Sequence, residues 1–368
     1  MSESPNLYTN PTATKTILKP HLHHHNGSPT IIDSGIPLDR ESFEIISGTS
    51  NPALALEVGR LLGKEVDTDA AHRFKDGEPD VQLARFNLSQ KDVCIFQSIS
   101  PPEGGYYLWE LFQLSNAAKY AKRRKTTAVL PYFGGSSRSD KKDRARVPIA
   151  ARLQADLMEA SGISFAVMVD IHALQIQGFF SEATDNMPAN QSTLAAVYEY
   201  IGDKQKIVFV SPDYGASKRT KIDSSKYAQY YGGKSRIGED AHIDKHRNPN
   251  KHDSVKIART FGNVKGKIAI VTDDIIDTFG TALGGIEALY KKGAEHVIFV
   301  ATHGVYSPPA LERIYNSDVR MVFTTNSIAP SDEVIDHPKI QVVDISQQLA
   351  ETLKCVRTGE SVSELIAK

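Results

Sequence analysis

Short apolar runs recur along the chain with almost no polar residues interrupting them, and this pattern limits the fold more than any other feature. The runs fall at residues 43–46, 93–97, 128–131, 165–170, 207–211, 268–272, 297–301, 321–324 and 340–343, and are rich in Val, Ile and Phe. A strand with one wet face alternates apolar and polar side chains, whereas a strand covered on both faces does not. The runs therefore predict a largely parallel sheet buried between helices. Helical periodicity at 51–62, 108–119, 149–160, 282–292 and 347–356 supplies the covers. Asn51-Pro52 is a favourable helix start, and Ser346 is expected to cap the last helix. Strands alternating with helices predict an α/β fold with right-handed crossovers.

The alternation runs twice, over 43–185 and over 186–335. It predicts two similar α/β domains, each a largely parallel sheet flanked by helices. This is an inference from topology, because no clear sequence repeat accompanies it. The length of 368 residues agrees, at ~150 residues per domain. Residues 336–368 hold a closing strand and helix, expected to pack back on the first domain. Residues 1–42 are rich in Ser, Thr, Pro, Asn and His without sustained period, and are expected to be a disordered tail. Its run His21-Leu22-His23-His24-His25 has no acidic or cysteine ligand beside it.

Charge and cysteine content exclude several classes. The 43 basic and 44 acidic residues leave a net charge of −1, so no overall basic field grips nucleic acid and any anion site must be local. Cys94 and Cys355 have apolar neighbours, with neither CxxC nor zinc spacing, as expected of a reduced, cytoplasmic protein. No apolar run approaches the ~18 residues that span a bilayer, and the first residues lack a signal-peptide pattern. No membrane partner is expected.

In α/β folds ligands bind at the carboxyl ends of the strands. The most informative strand end is Ile270-Val271-Thr272-Asp273-Asp274-Ile275-Ile276-Asp277-Thr278-Phe279-Gly280-Thr281. A buried strand runs into two acids, then into a loop that opens a helix. Backbone N–H groups at a helix N-terminus attract phosphate, and Gly280 permits close approach. Thr278 and Thr281 add hydroxyl donors. The acids suit sugar hydroxyls, or a magnesium ion held through water. Phosphate beside a vicinal diol is a ribose phosphate. An ordinary strand–turn–helix would not need three acids beside a phosphate nest.

Residues 271–281 resemble the phosphoribosyl-pyrophosphate loop of type I phosphoribosyltransferases, and their DD-II-DT-x-GT form is most similar to that of the ribose-phosphate pyrophosphokinases. Other segments carry the same resemblance in the family's order. Asp170-Ile171-His172 through Phe180 is similar to the metal-and-ATP signature, and implies Asp170 and His172 as metal residues, with His172 also at ATP. The i, i+2 spacing predicts that both point the same way off the strand. Ser211-Pro212-Asp213 resembles the segment whose Asp holds a second metal, with Ala216 where the family has Gly. Asp244-Lys245-His246-Arg247 looks like the mobile catalytic loop, and implies Lys245 and Arg247 as catalytic residues. Phe74-Lys75-Asp76-Gly77-Glu78 is similar to the segment that holds adenine from a neighbouring subunit, which implies Phe74, Asp76 and Glu78.

Residues 131–146 resemble the family's PYF-x-YARQDKKD-x-x-R. They imply ATP contacts for Arg138 and Asp143, with Arg138 also catalytic, although Ser139 replaces a Gln. Residues 359–363, Gly-Glu-Ser-Val-Ser, match an allosteric phosphate segment and imply Ser361 and Ser363; the partner segment, here Asn87-Leu88-Ser89-Gln90, lacks its usual Arg. The loop at 101–107 lacks the family's common Asn-Asp.

The resemblance implies that Asp273, Asp274, Asp277, Thr278, Phe279, Gly280 and Thr281 bind ribose 5-phosphate. It implies ATP as diphosphoryl donor, Mg2+ as cofactor, and homodimers assembling to a hexamer. Two alternatives stand beside it. One is a catalytically weak regulatory subunit associated with an active synthetase. The other is a phosphoribosyltransferase consuming the same sugar, which would not need the 170–180 and 74–78 segments.

Overall fold

A computed structural model describes residues 17–20, 43–135, 146–203, 205–231, 237–247 and 255–362. Most of the 1–42 tail and its His run therefore lie outside the described residues. The first half runs β1 (Phe43–Ser47), α1 (Pro52–Leu62), β2 (Val66–Asp67), a hairpin of β3 (Ala71–Arg73) and β4 (Pro79–Val81), β5 (Asp92–Phe96), α2 (Gly104–Tyr120), β6 (Thr126–Leu130), α3 (Ala150–Ser161), β7 (Phe165–Val169) and β8 (Thr184–Met187). The second half runs α4 (Asn190–Ile201), β9 (Ile207–Ser211), α5 (Ser217–Tyr231), β10 (Ala241–Arg247), β11 (Val255–Phe261), β12 (Ile268–Ile276), α6 (Gly280–Lys291), β13 (His296–Gly304), α7 (Ala310–Asn316), β14 (Met321–Thr325), α8 (Asp332–Ile335), β15 (Ile340–Val343) and α9 (Ser346–Thr358).

Two sheets result. The first has 6 strands in the order β2-β1-β5-β6-β7-β8, all parallel. The second has 7 in the order β11-β10-β9-β12-β13-β14-β15, parallel except for the β10–β11 edge. Each sheet is covered on both faces. On the first, Val93 and Ile95 face α2 and α3, while Phe43, Ile45 and Cys94 face α1 and α9. On the second, Val208 and Val271 face α6, while Phe209 and Ile270 face α4 and α5. Double cover is why the strand runs show no alternation.

Several elements escape the apolar pattern. β8 is short and polar, reading Thr-Asp-Asn-Met. β10 and β11 form an antiparallel hairpin from residues that read as a charged loop. Their backbone pairing, not their hydrophobicity, makes them strands. Ser346 does not cap α9. It is the first helical residue, and its hydroxyl donates to Asp344 Oδ2 at 2.8 Å. Asn51 does cap α1, accepting from Leu54 N.

α9 follows the second sheet in sequence but packs on the first. Leu349, Ala350 and Leu353 bury against Leu54 and Val58 of α1, and Arg357 pairs with Asp92 of β5. Each buried Leu contributes about 1.5–3 kcal/mol of apolar transfer. Leu18 adds a single parallel bridge to the β15 edge, with its N–H to Val342 O at 2.8 Å. Cys94 and Cys355 are both buried free thiols, and burial pushes Cys94 up to about 12. No helix among the described residues is long and apolar enough to cross a membrane.

Candidate active site

The carboxyl ends of β7 and β12 meet. β12 is longer than the apolar run suggests, because pairing with β13 continues to Ile276↔Gly304. Asp273 and Asp274 therefore still sit on strand backbone, where successive side chains point to opposite faces. Asp274 Oδ2 lies 2.6 Å from His172 Nδ1. Burial alone would push the Asp274 carboxyl up; the His172 hydrogen bond and charge, with the Arg219 charge, outweigh it and hold it well below the usual carboxylate range. Asp273 Oδ1 accepts from Asp274 N at 2.9 Å. Thus one residue read as metal- and ATP-binding and one read as sugar-binding form a single pair.

Beyond β12 the loop is held open. Phe279 has φ 59°, a left-handed value unusual outside Gly. Its ring compensates by burial, 4% exposed and edge-on to Phe299 at 5.4 Å. Among the sugar-binding expectations Phe279 thus differs: its ring belongs to the core, and only its backbone belongs to the loop. α6 begins at Gly280 with no side-chain cap, which leaves its first N–H groups available to an anion. A Cβ on Gly280 would come 2.8 Å from Arg313 Nη1, which itself donates to Thr278 O at 2.9 Å. Thr278 and Thr281 are exposed and Asp277 is half-buried.

Asp170 does not stand beside His172 as the i, i+2 spacing predicts. β7 ends at Val169, and Asp170 takes φ 40°. That turn sends its side chain inward, 7% exposed. Its Oδ2 accepts from Ala189 N at 2.8 Å and from Thr302 Oγ1 at 2.6 Å, and its Oδ1 from Arg219 Nη1 at 3.3 Å. Its carbonyl faces His303 Nε2 at 3.2 Å. Full burial holds His303 below its ordinary pKa. A small cavity beside these groups is lined by Tyr132, Phe133, His172, Asp274, Ile275 and His303.

Asp213 shapes the entry to α5. Its Oδ1 accepts from Ala216 N at 3.0 Å, and the Ser211 hydroxyl donates to its carbonyl. Ala216 is not among the residues with positive φ, so Ala in place of Gly strains nothing there. Phe74, Asp76 and Glu78 form the tip of the β3–β4 hairpin. Phe74 is 52% exposed, Gly77 has φ 97°, and Asp76 Oδ1 accepts from Glu78 N at 3.1 Å. The hairpin is moored to α2. Arg73 pairs with Glu103 at 2.6 Å and lies 3.7 Å over the Tyr106 ring. The altered 101–107 loop thus supplies both the start of α2 and that mooring.

Lys245 and Arg247 lie on β10, where the pairing with β11 shifts register between Asp244 and His246. Arg138, Asp143 and Ser363 lie outside the described residues, and Ser361 is exposed beside the buried Val362. Asp223 is a site neighbour that no motif announces, whereas Arg219 and Thr302 stand in stretches, 211–219 and 302–304, that resemble the family without a role of their own. Asp223, buried beside Asn190 on α4, is pushed up to about 6 by burial, against the Asn190 hydrogen bond and the Arg219 charge.

Residues 43–162 match the family model for the N-terminal domain of ribose phosphate pyrophosphokinase, and 225–367 that of the phosphoribosyl synthetase-associated domain. Ribose-phosphate pyrophosphokinase A of Dictyostelium discoideum is 34% identical over 328 residues, 89% of this chain and 98% of that one. The crystal structure of phosphoribosylpyrophosphate synthetase from Mycobacterium smegmatis superposes with a TM-score of 0.76 at 34% identity, covering 87% of this chain and 100% of the other. With its domains, its sequence and its fold in agreement over most of its length, the chain belongs to the ribose-phosphate pyrophosphokinase family.

Proposed function

We infer that this enzyme transfers the β,γ-diphosphoryl group of ATP to the anomeric hydroxyl of ribose 5-phosphate, yielding 5-phosphoribosyl 1-pyrophosphate and AMP. Family membership supports the reaction. The observation that carries it to particular residues is the His172–Asp274 pair, which joins the ends of β7 and β12 beside the uncapped start of α6. The α6 amides with Thr278 and Thr281 receive the 5-phosphate, and Asp273, Asp274 and Asp277 accept from the ribose hydroxyls.

Phosphoryl transfer asks mainly for positioning and charge neutralisation. Lys245, Arg247 and Arg138 neutralise charge on the transferred group and on AMP as it leaves. Phe74 flanks the adenine ring, Asp76 and Glu78 accept from its amine, and Asp143 contributes on the nucleotide side. Among the described residues no three His, Cys, Asp or Glu side chains converge as a metal cage. Mg2+ does not require one, since it typically binds one or two carboxylates together with water and substrate phosphates. His172, Asp274 and Asp213 fit that donor set. Magnesium held by these residues would supply charge neutralisation at the ATP phosphates and a lowered pKa at the attacking hydroxyl.

The exposed hairpin tip favours a homo-oligomer in which a neighbouring subunit completes the adenine site, as dimers assembling to a hexamer. The setting is cytoplasmic. A regulatory subunit would be expected to lack the catalytic cations, the metal His or the loop acids, and all are present in this chain.

The test is purified protein with Mg2+, ATP and ribose 5-phosphate, assayed for AMP and phosphoribosyl pyrophosphate beside Lys245→Ala. AMP that requires the sugar and collapses in the variant is the expected result. Sugar binding without AMP at any magnesium level would favour the regulatory alternative.

A further inference from the structure

We propose that Asp170 is a positioning residue and not a metal ligand: its carboxylate latches the end of β7 to the second sheet and so holds His172 against Asp274. This rests on the reading that His172 and Asp274 belong to the active site. A carboxylate has about four lone-pair sites. Three protein donors already claim those of Asp170: Ala189 N and Thr302 Oγ1 at Oδ2, and Arg219 Nη1 at Oδ1. They come from three different places, the residue before α4, the strand β13 and the helix α5. A dication bound directly to Asp170 would have to take the one remaining site, on Oδ1, or displace one of the two shorter bonds at Oδ2. It would also face the Arg219 guanidinium at close range, where like charges repel.

The backbone tells the same story. At φ 40° Asp170 bends the chain just after β7. Its carbonyl is held by His303, whose Nδ1 is 2.9 Å from Ser327 Oγ. The next residue, Ile171, turns into the core, 3% exposed, with its N–H on Asn186 Oδ1 at 3.0 Å. His172 then emerges into the cleft, its side chain 44% exposed, and meets Asp274. The turn, the latch and the His172–Asp274 pair are consecutive along three residues. Loosening the latch therefore changes where the imidazole sits without touching it.

Thr302 permits a clean test, because Thr302→Val keeps shape and removes only the donor, while Thr302→Ser keeps the donor. In EDTA, Asp170→Asn and Thr302→Val should each lower the thermal midpoint, and the double variant should lose less than the two losses combined. The imidazole resonances of His172 should move in Thr302→Val and return in Thr302→Ser. In turnover, Thr302→Val should lose about tenfold or more in kcat, and Thr302→Ser should recover it. The opposite pattern overturns the proposal: an unchanged or raised midpoint of Asp170→Asn in EDTA, with Mn2+ binding to the same variant weakened about tenfold or more, followed by electron paramagnetic resonance. A lowered midpoint with unmoved His172 resonances also overturns it, leaving a contact that is structural alone. The EDTA cycle and the resonances need no turnover, so they read the latch even if the wild-type protein makes no AMP.

Discussion

The loop after β12 and the tip of the β3–β4 hairpin both carry acids, an aromatic and a Gly, yet the fold treats them oppositely. In the loop, Phe279 buries its ring and Arg313 ties down the Thr278 carbonyl, while just before it, still on β12, Asp274 is paired with His172. On the hairpin, Phe74 is half exposed, and Asp76 and Glu78 lie exposed at the turn. The two regions differ in how much ordering a ligand must impose on them. A loop fixed by its own chain meets a small rigid phosphate with little ordering cost. A bare hairpin tip is not by itself a pocket and gains most when another surface closes over the nucleotide.

The contrast can be broken at its strongest point first. Asp274→Asn removes the charge partner of His172, and kcat/KM for ribose 5-phosphate should fall on the order of 10³-fold. A steady-state series in the sugar checks this; a fall under tenfold would mean the pair is peripheral. Gly280→Ala puts a methyl group beside Arg313 and the first α6 amides. KM for ribose 5-phosphate should rise roughly tenfold while KM for ATP stays put.

Phe74→Ala makes the reverse cut. KM for ATP should rise roughly tenfold with the sugar unaffected. Because Phe74 is exposed, the thermal midpoint should not move. Loss of stability instead would place the ring in a packed interface rather than at a base.

The smallest effect serves as control. The Asp223 carboxyl is pushed up to about 6 by burial, against the Asn190 bond and the Arg219 charge. A folded pKa above the unfolded ~3.9 means the folded state holds this proton more tightly. Its contribution is full below about pH 4 and is lost as pH rises through about 6, on the order of 3 kcal/mol. Asp223→Asn keeps an acceptor for Asn190 Nδ2 and adds a donor near the unpartnered Asn190 Oδ1. Its midpoint should exceed that of the wild type by a few degrees near pH 8 and by little near pH 4.5. Both KM values should stay unchanged, since Asp223 lies on neither side of the contrast.

Much of the molecule was legible from the order of its residues. Apolar runs without alternation encode doubly covered strands because burial on both faces leaves no place for polar side chains. The loop after β12 is legible for a similar reason. Strand, acids, Gly and helix start are neighbours in sequence, so their geometry is local. The charged β10–β11 hairpin was hidden, because pairing with β9 and β11 makes it a sheet edge where hydrophobicity gives no signal.

The surroundings of the acids follow from contacts between segments far apart in the chain. His172 and Asp274 are 102 residues apart, and Asp170 and Thr302 are 132 apart. Two Asp residues at strand ends look alike in sequence. One turn at φ 40° carries Asp170 into a nest of donors, while continued pairing with β13 carries Asp274 to the cleft. The order of residues sets which side chains the chain carries to its strand ends. Which of them are spent on holding the two sheets together, and which are left for a substrate, depends on donors brought from distant segments, and only the packed fold supplies those.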